Sequence, residues 1–232
     1  MIFLSTFATY LNKNIMNINE LLRNPLKDNG KNIQKTFSQI AENLFQNFCI
    51  QCGEKKYYFA EIEFYYYDKT NFDEEWNKKT YPRTDKAAGV LFFHYSGFDI
   101  CFESDFKKGV FGGILIRSLF DKKNNRFITG PLLCVNEVLN ACSNTQKWPE
   151  IVELSSEEKL YQSNNCVIND PPRTRYGITY KDKELQDVPW CFFDKRLLYE
   201  KNQKNTFENS TWDYVKKEAK DSIRYYHRFD SK

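Results

Sequence analysis

The apolar positions keep one period up to Phe48 and then switch to another. Phe37, Ile40, Leu44, Phe45 and Phe48 recur at the spacing of one helix face, which predicts a short amphipathic helix. Over residues 57–67 the run YYFAEIEFYYY alternates in part and is rich in rings, a strand signal. Residues 89–102 and 113–119 read as further strands, the first with a hairpin turn around Ser96 and Gly97. After Gly130 and Pro131, residues 132–141 read as a helix, and residues 175–193 hold two more short strands. Turn signals at Asn24-Pro25 and Asp28-Asn29-Gly30 make residues 1–35 an N-terminal extension, with residues 1–15 loosely ordered. At the other end, Ser210 and Asp213 resemble a capping box, and Trp212, Val215, Ala219, Ile223 and Tyr226 follow at helical spacing. The opposite face of that helix carries Lys216, Lys217, Lys220, Arg224 and Arg228, either a solvated face or a contact for a DNA backbone. The expected fold class is α+β: a single domain over residues 36–194 on a strongly curved antiparallel β-sheet with flanking helices. Residues 195–232 form a C-terminal helical extension.

Composition narrows the picture without choosing a function. With 232 residues, 41% hydrophobic and 28% charged, the chain is an ordinary globular domain and not a collagen, coiled-coil or disordered chain. Rings are the outlier: 20 Phe and 15 Tyr build a thick core and leave rings to stack on a ligand. The net charge of +3 permits a nucleic-acid partner without demanding one. No apolar run reaches a membrane span, and the apolar start MIFLSTFATYL is followed by Lys13 rather than preceded by a basic residue, the wrong order for a leader. A cytoplasmic monomer with no membrane contact is expected. Cys49 and Cys52 form a lone C-x-x-C, and the two histidines, His94 and His227, are far apart. The expectation is reduced thiols, no metal and no cofactor, with a redox or metal protein on Cys49 and Cys52 as a weaker rival.

Three charged residues interrupt apolar strands. Glu61 and Glu63 are two apart, so on a strand they share a face. They are either exposed edge acids or, if that face is buried, carboxylates that must be paired or used. Arg117 stands within Gly-Ile-Leu-Ile-Arg-Ser-Leu, and a buried arginine is normally matched to a carboxylate, with Glu61 and Glu63 the candidates.

The order of these segments resembles the alkyladenine (3-methyladenine) DNA glycosylase family. Glu61-Ile62-Glu63-Phe64-Tyr65 is similar to the family's Glu-x-Glu-x-Tyr, and Pro82-Arg83-Thr84 to its Pro-Arg-Asn. Gly89-Val90-Leu91-Phe92 leading to Ser96-Gly97 resembles the strand Gly-x-Leu-Tyr leading to Tyr-Gly. Ile114-Leu115-Ile116-Arg117-Ser118 is similar to Val-Leu-Ile-Arg-Ala, and Gly130-Pro131 with the helix through Val138-Leu139 follows in the family order. Arg175-Tyr176-Gly177-Ile178 and Pro189-Trp190-Cys191-Phe192 close a match over residues 37–193.

The resemblance implies the family's fold and a monofunctional glycosylase acting on double-stranded DNA, which extrudes a modified base and hydrolyses its N-glycosidic bond. It implies Glu63 as the residue that activates water and Arg117 as the one that orients water or holds a phosphate. Tyr65 becomes a wall of the base pocket, joined by Glu61, Trp76 and His94, although His94 also reads as a satisfied sheet histidine. Tyr95 is the expected wedge in the DNA, with Lys78, Lys79, Arg83, Lys86 and Arg175 on phosphates. The chain departs from the family in having Trp76-Asn77 where a histidine contacts the base, and Cys191 where an arginine follows Pro-Trp. An alkylated purine is the default substrate and a hypermodified phage base, removed in defence, the variant. The rival class is a catalytically inactive nucleic-acid binding protein on the same scaffold.

Overall fold

The structure, a computed structural model, describes residues 18–23, 33–70, 86–143, 145, 147–160, 168, 169, 172, 175 and 189–197. Two long strands, β2 (Lys55–Asp68) and β5 (Val110–Asp121), pair antiparallel from Tyr57 opposite Asp121 to Asp68 opposite Val110. Every other strand is short and lies outside this pair. On the free edge of β2, β1 (Phe48–Cys52) covers residues 55–58 and β8 (Cys191–Phe193) covers 61–63. On the free edge of β5, β4 (Gly97–Cys101) covers 113–115 and β6 (Arg126–Thr129) covers 118–121. Strand β3 (Leu91–His94) extends the sheet beyond β4, and β7 (Glu150–Glu153) beyond β1. The result is one strongly curved, antiparallel, eight-stranded sheet.

Both long strands change outer partner at the same level, and there the register between them breaks, around Phe59 to Ile62. A bulge of this kind bends the strand and increases its twist. It also moves the core pattern by one position. Tyr57 and Phe59 lie in the main core before the break, and Ile62, Phe64 and Tyr66 after it. This is the physical reason that the run 57–67 alternates only in part.

Helices α1 (Ile18–Arg23) and α2 (Ile33–Asn47) come first, and α3 (Pro131–Ser143) follows β6. Phe37 of α2 keys the main core: its ring stacks on Phe64 at 4.4 Å, lies 5.8 Å from Phe102 and meets Trp190 edge-on at 4.9 Å. Such pairs add about 0.5–1.5 kcal/mol each beyond area burial. A second, smaller cluster joins Tyr58, Ala60 and Phe120 to Leu154 and Leu197.

The expected helix, the long aromatic strand, the hairpin and the strand and helix after it fall at α2, β2, β3–β4, β5 and α3. Strands β1, β6 and β7 carry no sequence expectation. Phe48 fits the helical spacing but is the first residue of β1, which follows α2 without a break. Leu22, in the stretch read as an extension, is fully buried in the main core, and its carbonyl accepts the Glu103 N–H at 2.9 Å. Beyond residue 194, Arg196 Nη2 donates to the Phe45 carbonyl at 3.1 Å and Leu197 is buried. The expected helix over 206–229, the loosely ordered start and most of the strands expected in 175–193 lie outside the described residues. Among the described residues no helix is long and apolar enough to cross a membrane.

Phe37→Ala is expected to destabilise the fold by about 3–5 kcal/mol, read as a lower midpoint in urea unfolding.

Candidate active site

Because side chains alternate along a strand, the residues between Ile62, Phe64 and Tyr66 face away from the main core. This puts Glu63 and Tyr65 on the second face of β2, with Leu115 opposite Glu63 on β5. Glu63 is fully buried there. Arg117 Nη1 donates to Glu63 Oε2 at 3.1 Å, and the Tyr65 hydroxyl donates to Glu63 Oε1. Glu61 sits at the bulge. Its Oε1 lies 3.6 Å from Arg117 Nε and accepts the Cys191 thiol at 3.4 Å, and its Oε2 accepts the Ser118 hydroxyl at 3.1 Å. The break in register brings Glu61, Arg117 and Ser118 together at one level of the sheet.

A second guanidinium closes the cluster. Arg175 is only 5% exposed, with its central carbon 5.4 Å from the Tyr65 ring centre and 5.0 Å from that of Trp190. Arg117 answers both carboxylates, which offsets the several kcal/mol cost of burying each charge, and Arg175 adds a guanidinium against the rings. Burial works to weaken the hold of Arg117 on its proton, but Glu63 and Glu61 outweigh it and the guanidinium holds that proton more tightly than usual. Burial, and then the Glu63 carboxylate, push the Tyr65 phenol far above its ordinary range, so it stays a donor. Close approach of the strands supports this geometry. A Cβ on Gly112 would lie 2.4 Å from the Tyr65 carbonyl oxygen, so β5 passes β2 there with no room for a side chain.

A row of paired residues continues the site across the sheet: Glu63, Leu115, Asp99 and Phe92 stand opposite one another on β2, β5, β4 and β3. Asp99 is fully buried, and its Oδ2 lies 3.0 Å from His94 Nε2. His94 Nδ1 lies 2.9 Å from Ser96 Oγ and accepts the Ser96 N–H at 3.3 Å. The Phe92 ring stacks on the imidazole at 5.7 Å.

The structure therefore gathers Glu61, Glu63, Tyr65, Arg117 and Arg175, and sets His94 on the same row system. Arg175, expected on a DNA phosphate, lies inside the cluster instead. Tyr65, expected to offer its ring to a base, uses its hydroxyl on Glu63 and has Arg175 against its ring. Tyr95 is 94% exposed at the tip of the β3–β4 turn, and Lys86 Nζ lies 5.4 Å from the Phe92 ring centre. Trp76, Lys78, Lys79 and Arg83 lie outside the described residues. The sequence expectations gave no site role to Asp99, Ser118, Trp190 or the Cys191 thiol. Asp99 had a signal: one acid in the apolar run Gly-Phe-Asp-Ile-Cys, the same anomaly that singled out Glu63.

Cys49 and Cys52 pack into different clusters, Cys52 in the main core and Cys49 in the smaller one. Burial pushes both thiols up, Cys49 to about 12, the behaviour of inert core cysteines. Compared with protein-family models and with curated proteins, the chain matches none.

A carboxylate held between a phenol and a guanidinium, in surroundings that exclude water, is suited to taking a proton or stabilising a nearby cation. Removing Arg117 leaves that carboxylate uncompensated. Arg117→Met is expected to cost about 3–5 kcal/mol in urea unfolding at neutral pH, and adding Glu63→Gln to recover part of the loss. Tyr65 gives a pH signature. Its folded value lies above the unfolded one near 10.0, so its contribution is intact below that pH and is lost as pH rises toward the folded value. Between about pH 9 and about pH 11 the wild-type unfolding midpoint is expected to fall more steeply than that of Tyr65→Phe.

Proposed function

We propose that the chain is a monofunctional DNA glycosylase that turns a modified base out of double-stranded DNA and hydrolyses its N-glycosidic bond. The observation that carries this reading is the buried Glu63 carboxylate, clamped by Tyr65 and Arg117 on a sheet that otherwise buries rings. In the reaction, Glu63 accepts a proton from the attacking water and its charge faces the oxocarbenium-like sugar. Arg117 pairs with the carboxylate and fixes its orientation. Tyr65 pins the second oxygen, and Arg175 holds the Tyr65 ring. Tyr95, exposed at the hairpin tip, supplies a ring to fill the gap left in the duplex. The reaction uses water, a base and the DNA, with no cofactor. By resemblance the base is an alkylated purine; the substitution of Trp76 and Cys191 for polar family residues suits a different modified base as well.

One observation favours a second reading, a binding protein that has lost the reaction: both Glu63 oxygens already have protein partners, as in a purely structural ion pair. Base release separates the two. Purified protein is incubated with alkylated, deaminated or hypermodified genomic DNA, and freed bases are identified by mass spectrometry. Release of one base is expected, falling about 10²–10⁴-fold in Glu63→Gln, while DNA affinity stays within a few-fold of wild type. Binding without release from any of these DNAs decides for the second reading.

A further inference from the structure

The hairpin between β3 and β4 holds a second chain of proton-carrying groups: Ser96 Oγ, His94 and Asp99, joined by contacts of 2.9 and 3.0 Å. Asp99 is fully buried and His94 largely so, whereas Ser96 is half-exposed and follows Tyr95, the most solvent-exposed ring in the described part of the molecule. The open end of the chain is therefore the serine hydroxyl. Across the sheet, Asp99 stands two strands from Glu63, about 10 Å between backbones, with Leu115 between them as an apolar floor. Two proton-handling groups thus flank one apolar patch on one face of the sheet.

We infer that Ser96, His94 and Asp99 form a relay that protonates the departing base, opposite the base-catalytic Glu63. This rests on the glycosylase reading and assigns the other half of its proton traffic. Water attacks the sugar C1′ as the C1′–N bond breaks, and the bonding pair passes to the base. Glu63 accepts a proton from the attacking water. A ring nitrogen of the departing base takes the Ser96 hydroxyl proton, and Ser96 is reprotonated by His94 Nδ1, leaving a neutral imidazole. Asp99 is the positioning residue: its carboxylate faces Nε2 at 3.0 Å and holds the ring with Nδ1 toward Ser96. Solvent reloads His94 and unloads Glu63 after release. One water is consumed and nothing is oxidised or reduced. In the imidazolium the Nδ1 proton points to Ser96 Oγ, and the long 3.3 Å contact from the Ser96 N–H is given up.

Leaving-group chemistry tests this apart from a structural role. Hypoxanthine needs a proton to leave well, whereas 7-methylguanine carries a positive charge and leaves as a neutral molecule without one. Single-turnover release is measured from duplexes holding one or the other base, for wild type, His94→Gln, Ser96→Ala and Asp99→Asn. The expected result is that each variant loses about 100-fold more rate on hypoxanthine than on 7-methylguanine. Equal losses on both bases, or no loss on hypoxanthine, overturn the relay and leave the glycosylase reading in place. Wild-type release of 7-methylguanine alone also overturns the relay. Failure of wild type to release either base overturns the relay as a purine-leaving acid together with the purine reading it rests on.

Discussion

A carboxylate inside an aromatic sheet is costly, and the burial of Glu63 sets conditions that much of this molecule meets. Its charge must be matched by a guanidinium at hydrogen-bonding distance, which Arg117 supplies from the neighbouring strand at 3.1 Å. Arg117 in turn needs more than one acidic neighbour if it is to be buried, and Glu61 provides it. The register between β2 and β5 breaks at that level, between Phe59 and Ile62, and leaves Arg117 next to Ser118, which stands opposite Glu61. The same irregularity bends the sheet. Electrostatic matching, strand register and curvature thus meet at one level of the sheet.

The sequence was legible where physics forbids indifference. An acid or a cation in an apolar strand has few acceptable fates, so Glu61, Glu63 and Arg117 could be paired with one another before any geometry was known, and they are. The helix at Phe37 and the hairpin at Ser96 were legible because a period and a turn are local. The bulge was not, since a change of pairing partner depends on which strand lies alongside, and nothing in residues 57–67 says that β1 ends where β8 begins. Strands β6 and β7 have four residues each, too few to show a period. Arg175 read as a surface cation because the rings it lies against, Tyr65 and Trp190, are distant in sequence. Burial by cation–π contact leaves no charge pattern to find.

The abundance of aromatic residues carries two readings, core material and ligand platform, and the described rings answer mostly for the first. Phe37, Phe64, Phe102 and Trp190 pack on one another, and Tyr67 stacks on Phe111. Tyr95 stands apart from these, projecting into solvent from a turn whose other members belong to a proton chain.

Since β2 and β5 exchange all their outer partners at one level, the sheet is two small sheets threaded on a common spine. The half bearing β1, β6 and β7 holds Ser118 alone of the strand residues around Glu61 and Glu63, while the half bearing β8, β4 and β3 carries most of the others. Opening energies in a protein are local, and cooperative units follow such seams. The halves are thus free to fray at different rates: the β1–β7 edge can exchange its amide hydrogens with solvent while the strands around Glu63 stay closed.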